Sequence, residues 1–292
     1  VALFVLAMLS KTVTVTLPVA LLLITWWRRG RFTRTDLLAV APFLAIGLML
    51  GLFTVYIEHR FVGARGVDWQ IPFLSRVLIA GRAPFFYLGK LFFPVHLTFM
   101  YPRWDLATDL SPARWTNWLY PAGVLAIVGC LLALRRWIGR GPVTAVLFFL
   151  LMLFPALGFF NFFPMRYSFV ADHFQYAACI GLCALVAAAG GTLVGLIDAA
   201  DRFLLLLTRA LTVLPLLAAL ACLSFIQAPI YDSPTTLWRD TIAKNPSCWM
   251  AIENLANILL LQKGEAALPE AIRLYKKTID LKPNQLKAYN EL

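Results

Sequence analysis

Charged side chains are scarce in this chain of 292 residues. Asp, Glu, Lys and Arg together make up 14% of it, against about 25% in a typical soluble domain. The five cysteines form no disulfide framework, because four of them lie inside apolar runs. The three histidines have no zinc-ligand spacing, and no P-loop, GxGxxG or Ser-His-Asp arrangement is visible. A soluble enzyme, a disordered chain and a disulfide scaffold are therefore excluded, whereas a divalent cation held by carboxylates stays open.

Long apolar runs are what the chain has instead. Hydrophobic residues make up 61% of it and the mean hydropathy is +0.76. Runs of about 20 residues are long enough to cross the hydrocarbon core of a bilayer. We therefore predict an all-α protein whose residues 1–230 form a polytopic transmembrane helical bundle in the lipid bilayer. The bundle has a partial span at the start and about six predicted spans, at 13–27, 37–57, 118–134, 143–163, 174–197 and 203–227, although residues 1–27 also fit one kinked helix or a hairpin.

The net charge of +11 is concentrated in short gaps between the apolar runs. The gaps at 28–36 and 135–140 contain four and three arginines, which is typical of cytoplasmic loops; a nucleic-acid partner is not needed to explain this charge. Alternation then predicts that 58–116, 164–173 and everything after Gln227 share the opposite side. Charges recur too often in 58–116 for a lipid-buried span, so we expect interfacial helices there.

The polar tail, residues 231–292, contains a repeated spacing. Two sets of three residues share separations of three and five positions, namely Trp238, Thr241 and Pro246, and Tyr275, Thr278 and Pro283. This pattern resembles tetratricopeptide (TPR) repeats, with 37 residues between the prolines instead of the usual 34. The resemblance implies an incomplete TPR α-solenoid that binds a protein or peptide partner. Asn254 and Asn257 are its peptide-binding candidates; plain polar surface positions are the alternative.

Several polar residues lie where lipid does not tolerate them. Lys11 separates two apolar runs, and is either a snorkelling lysine or a cation suited to a phosphate. Arg166 could take a phosphate bidentately, and Asp172 and His173 could orient each other or an acceptor hydroxyl. The alternative is that Arg166 and Asp172 pair to fix their loop. Arg103, in an aromatic-rich turn, fits anchoring at headgroup depth.

Three segments give the sequence a resemblance to a known family. The segments 9–12 (LSKT), 93–97 (FPVHL) and 171–176 (ADHFQY) look like the transmembrane-and-TPR proteins related to O-mannosyltransferases, in the GT-C superfamily of glycosyltransferases. Such proteins take a sugar from a polyprenyl phosphate and transfer it on the lumenal or periplasmic face. The chain begins and ends inside apparent helices, so we expect a segment of a longer protein.

The resemblance implies roles for the polar residues. Lys11, Arg166 and Arg103 would bind the carrier phosphate, and Asp172 and His173 would be catalytic, although many relatives have Arg where His173 stands. The main catalytic acid of the family is expected upstream of this chain. The donor would be a polyprenyl-phosphate sugar, and no further cofactor is implied.

The sequence therefore favours a glycosyltransferase of the bacterial inner membrane, or of the ER membrane in a eukaryote. Its TPR tail would be periplasmic or lumenal and would recruit a protein acceptor. The main alternative is a non-catalytic membrane-anchored TPR scaffold for assembling envelope proteins. A lipid-linked-sugar flippase would predict charges at the bilayer midplane, for which only Lys11 qualifies.

Overall fold

The computed structural model describes residues 1–195 and 202–291, and the regular secondary structure of this part of the chain is helical, without a β-strand. Short 3-10 turns connect several of the helices. The helices are α1 (Ala2–Ser10), α2 (Leu17–Arg29), α3 (Arg34–Ile57), α4 (Phe73–Phe92), α5 (Leu119–Ile138), α6 (Gly141–Leu153), α7 (Cys179–Gly195), α8 (Arg202–Gln227), α9 (Pro234–Lys244), α10 (Trp249–Lys263), α11 (Leu268–Leu281) and α12 (Leu286–Asn290). The predicted all-α class is confirmed for the described residues.

Three helical segments are long and apolar enough to cross a membrane: Arg34–Val62, Trp115–Ile138 and Leu206–Tyr231. They contain 29, 24 and 26 residues, more than the roughly 20 that a hydrocarbon core of about 30 Å requires. The first begins sharply because Thr33 and Asp36 form a reciprocal capping box, which satisfies two backbone N–H groups that the helix leaves unpaired. These segments overlap three of the predicted spans.

The remaining predicted spans contain shorter helices. The helical run of α6 stops at Ala156, seven residues before the predicted end at 163, and α7 begins five residues after the predicted start at 174. Pro155 lies where α6 gives way to a 3-10 turn, and Gly158 follows with a positive φ of 89°; a proline lacks the N–H that would continue the helix. The start of the chain breaks at Lys11, whose backbone is extended between α1 and a 3-10 turn.

The segment 58–116, predicted as interfacial helices, contains one long helix, α4. One side of α4 is buried in the protein, with Leu78, Ile79 and Tyr87 each no more than 1% exposed. Leu78 and Ile79 join a core cluster that includes Trp69 and Met165. One side of α4 therefore packs in the protein interior. The sequence did not indicate this burial, because arginines recur along the segment.

The described residues divide into two compact units. The first comprises Val1–Phe93 and Arg103–Thr192, and the second comprises Pro94–Pro102 and the described residues after Thr192. In the second unit α10 packs between α9 and α11, and α11 contacts α12. Of the positions where the TPR resemblance places packing residues, Leu255, Ala256, Leu259, Ala271 and Tyr275 are all at most 4% exposed. Trp249 is half-buried and Pro283 is exposed.

Candidate functional site

Arg166 is held by a carboxylate and by aromatic rings. Its Nη2 lies 3.6 Å from Asp68 Oδ2, and about a fifth of each side chain is exposed, 20% and 18%. The guanidinium also lies over the rings of Trp69, Phe163 and Tyr167 at 5.4–5.5 Å from their centroids. Arg166 thus has a carboxylate partner outside its own loop, Asp68. A phosphate that binds Arg166 must therefore compete with a carboxylate already in place.

Arg103 joins two distant backbone segments. Its Nη2 donates to Asp68 O at 2.7 Å and its Nε donates to Met165 O at 3.0 Å, while the guanidinium lies 4.8 Å from the Phe169 ring centroid. Burial lowers the pKa of Arg103, and the charges of Asp68 and Asp105 oppose that shift.

Arg76 of α4 is a structural residue that sequence reasoning missed. It donates to the carbonyls of Ile71, Gly158 and Trp69 at 3.1, 2.6 and 3.2 Å and to Asn161 Oδ1 at 2.6 Å. These bonds fix the loop that follows α6 against the residues that precede α4. The available signal was an arginine in the first turn of a largely apolar helix, since a buried guanidinium needs several acceptors.

Lys11 and Asp172 each act electrostatically on His173. Burial and the charge of Lys11 lower the pKa of His173, and the charge of Asp172 opposes them. Lys11 is exposed, and the His173 ring packs on Phe174 with centroids 4.5 Å apart. Three of the residues singled out in the sequence, from segments about 160 positions apart, thus belong to one cluster.

The backbone just before Asp172 is held by a buried tyrosine. Tyr87 is 1% exposed, and its hydroxyl accepts a hydrogen bond from Ala171 N at 3.1 Å. Burial raises the pKa of Tyr87, the bond from Ala171 opposes this shift, and the charge of Asp172 adds to it. The position of the Asp172 turn is therefore set from α4, a long-range relationship that no local sequence pattern indicates.

Thr12, the residue that follows Lys11, is one of the residues that line an apolar cavity of about 360 Å³. It lies between the turn Thr12–Thr16, α3 and residues 154–162, and Thr12 Oγ1 and Thr54 Oγ1 are 3.1 Å apart at its wall. Glu58 supplies the one carboxylate among its lining residues, and Glu58 Oε2 accepts a hydrogen bond from Phe163 N at 3.0 Å. Sequence reasoning treated Glu58 only as the start of a loop.

A second cavity, of about 680 Å³, shares part of its wall with the first. Leu52, Val55, Phe160 and Asn161 line both. The second cavity adds His59, Tyr56 and Arg76 to its lining, so its surroundings are more polar. The first cavity is mainly apolar and the second is more polar, and both are lined by Leu52 and Val55 of α3.

The two asparagines proposed for peptide binding differ in their surroundings. Asn257 Oδ1 accepts a hydrogen bond of 2.6 Å from the hydroxyl of buried Tyr275, which joins α10 to α11. Asn254 is half-buried. Next to it, Glu253 is 5% exposed and accepts a hydrogen bond from Gln285 Nε2 at 2.8 Å. Asn257 thus has a packing role of its own, and Asn254 is the better candidate for contact with a peptide.

Among the described residues, no group of three or more His, Cys, Asp or Glu side chains is arranged to hold a metal ion. Comparison with protein-family models, with curated proteins and with solved structures gives no match.

Proposed function

We propose that this chain belongs to a membrane glycosyltransferase that moves a sugar from a polyprenyl-phosphate carrier to a protein acceptor on the periplasmic or lumenal face. The observation that carries the proposal is the electrostatic cluster of Lys11, Asp172 and His173, together with an apolar cavity that is lined by Thr12, the residue after Lys11. A polyprenyl phosphate needs an apolar surface for its chain and a cation for its phosphate, and this region of the first unit offers both.

Lys11 is the cation that we assign to the carrier phosphate. The leaving phosphate gathers negative charge in the transition state, and a nearby cation stabilises it. Lys11 is exposed, whereas Arg103 and Arg166 are already engaged with backbone carbonyls and with Asp68. We therefore assign those two arginines the role of holding the loops, with Arg166 joining the phosphate only if Asp68 is displaced.

A neutral imidazole and a carboxylate stand next to each other at the proposed site. Because the pKa of His173 is lowered, its ring is mainly uncharged at pH 7 and can accept a proton from an acceptor hydroxyl. Asp172 can orient that ring or the hydroxyl. Glu58 adds a second carboxylate at the cavity wall, and a carboxylate has about four lone-pair sites, so its bond from Phe163 leaves acceptor capacity.

The helices α9–α12 form the acceptor-recruiting part of the proposal. Their consecutive packing and buried Leu, Ala and Tyr positions agree with TPR-like repeats. We assign peptide contact to Asn254 and packing to Asn257, because only the latter is bonded to Tyr275. The unit would lie in the periplasm of a bacterium or in the ER lumen of a eukaryote.

Sugar transfer by the full-length protein tests the proposal. Radiolabelled polyprenyl-phosphate sugars are supplied in liposomes, and transfer to co-purifying protein is compared for wild type, Lys11→Ala and Lys11→Arg. Removal of one charge-stabilising group from a transition state typically costs about 10²-fold in rate, so we expect a loss of that order for Lys11→Ala and partial recovery for Lys11→Arg. Arg60→Ala, at an exposed position after α3, is the matched control.

A membrane-anchored scaffold is the second candidate. The observation that favours it is the engagement of Arg103 and Arg166 in purely structural contacts. A scaffold predicts no transfer from any donor, and binding of a purified envelope protein that Asn254→Ala weakens. Transfer that is equal in wild type and Lys11→Ala would also reject the assignment of the phosphate site.

A further inference from the structure

A cavity of about 530 Å³ lies in the first unit between α2, α6 and α7, apart from the proposed catalytic cluster. Its walls are made mainly of small side chains, which include Ala145, Ala184 and Ala188. Helices α6 and α7 are in close contact at one point, where a Cβ on Gly181 would lie 2.7 Å from Ala145 O. The volume falls within the range of about 300–1,000 Å³ that is typical of ligand sites.

One polar group in this cavity has its hydrogen-bonding capacity unused. Thr144 lines the cavity and is only 7% exposed, and its Oγ1 has no hydrogen-bond partner within the described part of the chain. Buried hydroxyls are nearly always bonded, because burial without a partner costs free energy. A ligand that carries an acceptor, such as an ester carbonyl, would satisfy this hydroxyl.

Arginines are sequence neighbours of two lining residues of the cavity, since Arg28 follows Trp27 and Arg140 precedes Gly141. Arg140 Nη1 donates to Trp26 O at 3.1 Å at the end of α2, and Gly30 permits this approach because a Cβ there would overlap the guanidinium. The contact brings together the basic segments 28–36 and 135–140, which contain seven arginines and a single acidic residue, Asp36. Ile138, in the second basic segment, and Trp27, which directly precedes the first, line the cavity.

We propose that this cavity binds an anionic phospholipid. One acyl chain fills the apolar space along α7, the headgroup phosphate lies against the arginines of the two basic segments, and an ester carbonyl accepts a hydrogen bond from Thr144. Basic pockets between membrane helices are suited to anionic headgroups, and a free phosphate would leave the apolar walls uncovered. The site depends on membrane association of the protein and is independent of sugar transfer.

Brominated lipids test the proposal through the fluorescence of Trp27. A bromine atom on an acyl chain quenches a tryptophan that it contacts, and the signal of Trp27 is the difference between wild type and Trp27→Phe. We expect brominated phosphatidylglycerol to quench Trp27 at a mole fraction several-fold lower than brominated phosphatidylcholine, since each engaged arginine contributes about fivefold. Equal quenching by the two lipids would reject the anionic headgroup.

Two substitutions on the same helix separate cavity binding from general lipid contact. Ala188→Phe fills the cavity and should abolish the selective quenching, whereas Ala187→Phe, at an exposed position outside the cavity lining, should leave it unchanged. Thr144→Val, a milder change, should weaken retention of phosphatidylglycerol in native mass spectrometry. Selective quenching that survives Ala188→Phe would overturn the proposal. A change in oligomeric mass in that variant, without lipid loss, would show that a second helix occupies the cavity instead.

Discussion

Gly81 of α4 lies against the backbone of Pro121 at the start of α5, so closely that a Cβ on Gly81 would be 2.5 Å from Pro121 N. That distance is shorter than any normal non-bonded contact, and the nearest atoms belong to backbone or to the proline ring. The contact sets the separation of α4 from α5, a helix within a segment long enough to cross a membrane. A side chain at position 81 would force the two helices apart.

Substitution of this glycine should therefore destabilise the first unit. We expect Gly81→Ala to lower the free energy of unfolding by about 1–3 kcal/mol, the usual cost of overpacking. Gly89→Ala is the matched control, because Gly89 is in the same helix and a Cβ added there would have no neighbouring atom within 4 Å. At that position the higher helix propensity of Ala should stabilise by up to about 1 kcal/mol. Thermal unfolding in detergent measures both; equal effects would contradict the close contact.

Arg76 should be the most costly arginine of α4 to remove. Its loss removes a charged donor from the carbonyls of Trp69, Ile71 and Gly158, and hydrogen bonds to charged groups contribute about 1.5–3 kcal/mol each. We expect Arg76→Ala to lower the free energy of unfolding by about 3 kcal/mol or more. Arg76→Lys should recover little, since lysine lacks the planar fork.

The control for Arg76 is in the same helix. Arg82 Nη1 makes one long hydrogen bond, 3.4 Å, to Asp109 O and is stacked on Trp104. Arg82 also lies 5.7 Å from the ring centroid of Tyr120, and Arg82→Ala should cost about 1 kcal/mol, in the range of cation-π contacts near the surface. A larger loss for Arg82→Ala than for Arg76→Ala in urea unfolding would show that the contacts of Arg76 are not the stabilising ones.

The ion pair of Arg166 with Asp68 should be weakly coupled. The separation of 3.6 Å is long for an ion pair and about a fifth of each side chain is exposed, so we expect a coupling free energy of about 1 kcal/mol. A double-mutant cycle with Arg166→Gln and Asp68→Asn isolates that value. If Arg166 also binds the carrier phosphate, Asp68→Asn should lower the KM for donor while the kcat stays near wild type. A higher KM would assign Asp68 to donor binding.

The pKa of His173 should follow the charge of Lys11. Since that cation lowers the pKa, Lys11→Met should raise it, and Asp172→Asn should lower it further. A histidine whose pKa is lower in the folded state gives stability that is present above its unfolded pKa, about 6.5, and is lost as pH falls through the folded value. NMR titration of the ring protons, assigned with His173→Gln, measures these shifts. An unchanged pKa in Lys11→Met would mean that the two groups are not close.

Tyr275 and Asn257 should behave as a structural pair. Tyr275→Phe removes the hydroxyl that donates to Asn257 Oδ1 and should cost about 1 kcal/mol of stability. Asn257→Ala should give a similar loss, and the double substitution should cost less than the two together. Fully additive losses in chemical unfolding of the second unit would contradict the bond between α10 and α11. Asn254→Ala, at a half-buried position of the same helix, should change stability little.

The parts of the fold that depend on nearby residues could be predicted from the sequence, and the parts that depend on distant residues could not. Long apolar runs and repeat spacing indicated α3, α5, α8 and the packing positions of α10 and α11, because hydropathy and periodicity are local properties. The burial of α4 was missed, since two of the acceptors of Arg76, Gly158 O and Asn161 Oδ1, lie more than 80 residues later in the chain. The ion pair of Arg166 with Asp68 likewise joins residues 98 positions apart, and no local pattern indicates it.

Residues 94–102 have a consequence for how the protein can be divided. This short stretch lies between α4 and Arg103, which are both in the first unit, yet it packs in the second unit. Lys244 Nζ donates to Leu97 O at 2.7 Å and Asn245 Nδ2 donates to Met100 O at 3.1 Å. The ring of Phe99 contacts the ring of Trp238. The tail is therefore not a self-sufficient module. Cleavage of the chain after α7 would remove Lys244 and Asn245, the donors to residues 94–102, from the N-terminal fragment. It would also leave Trp238 of α9 without its contact to Phe99. A fusion or exchange that replaces the tail would also have to replace these nine residues, which lie between two segments of the first unit. The two units are therefore expected to evolve together.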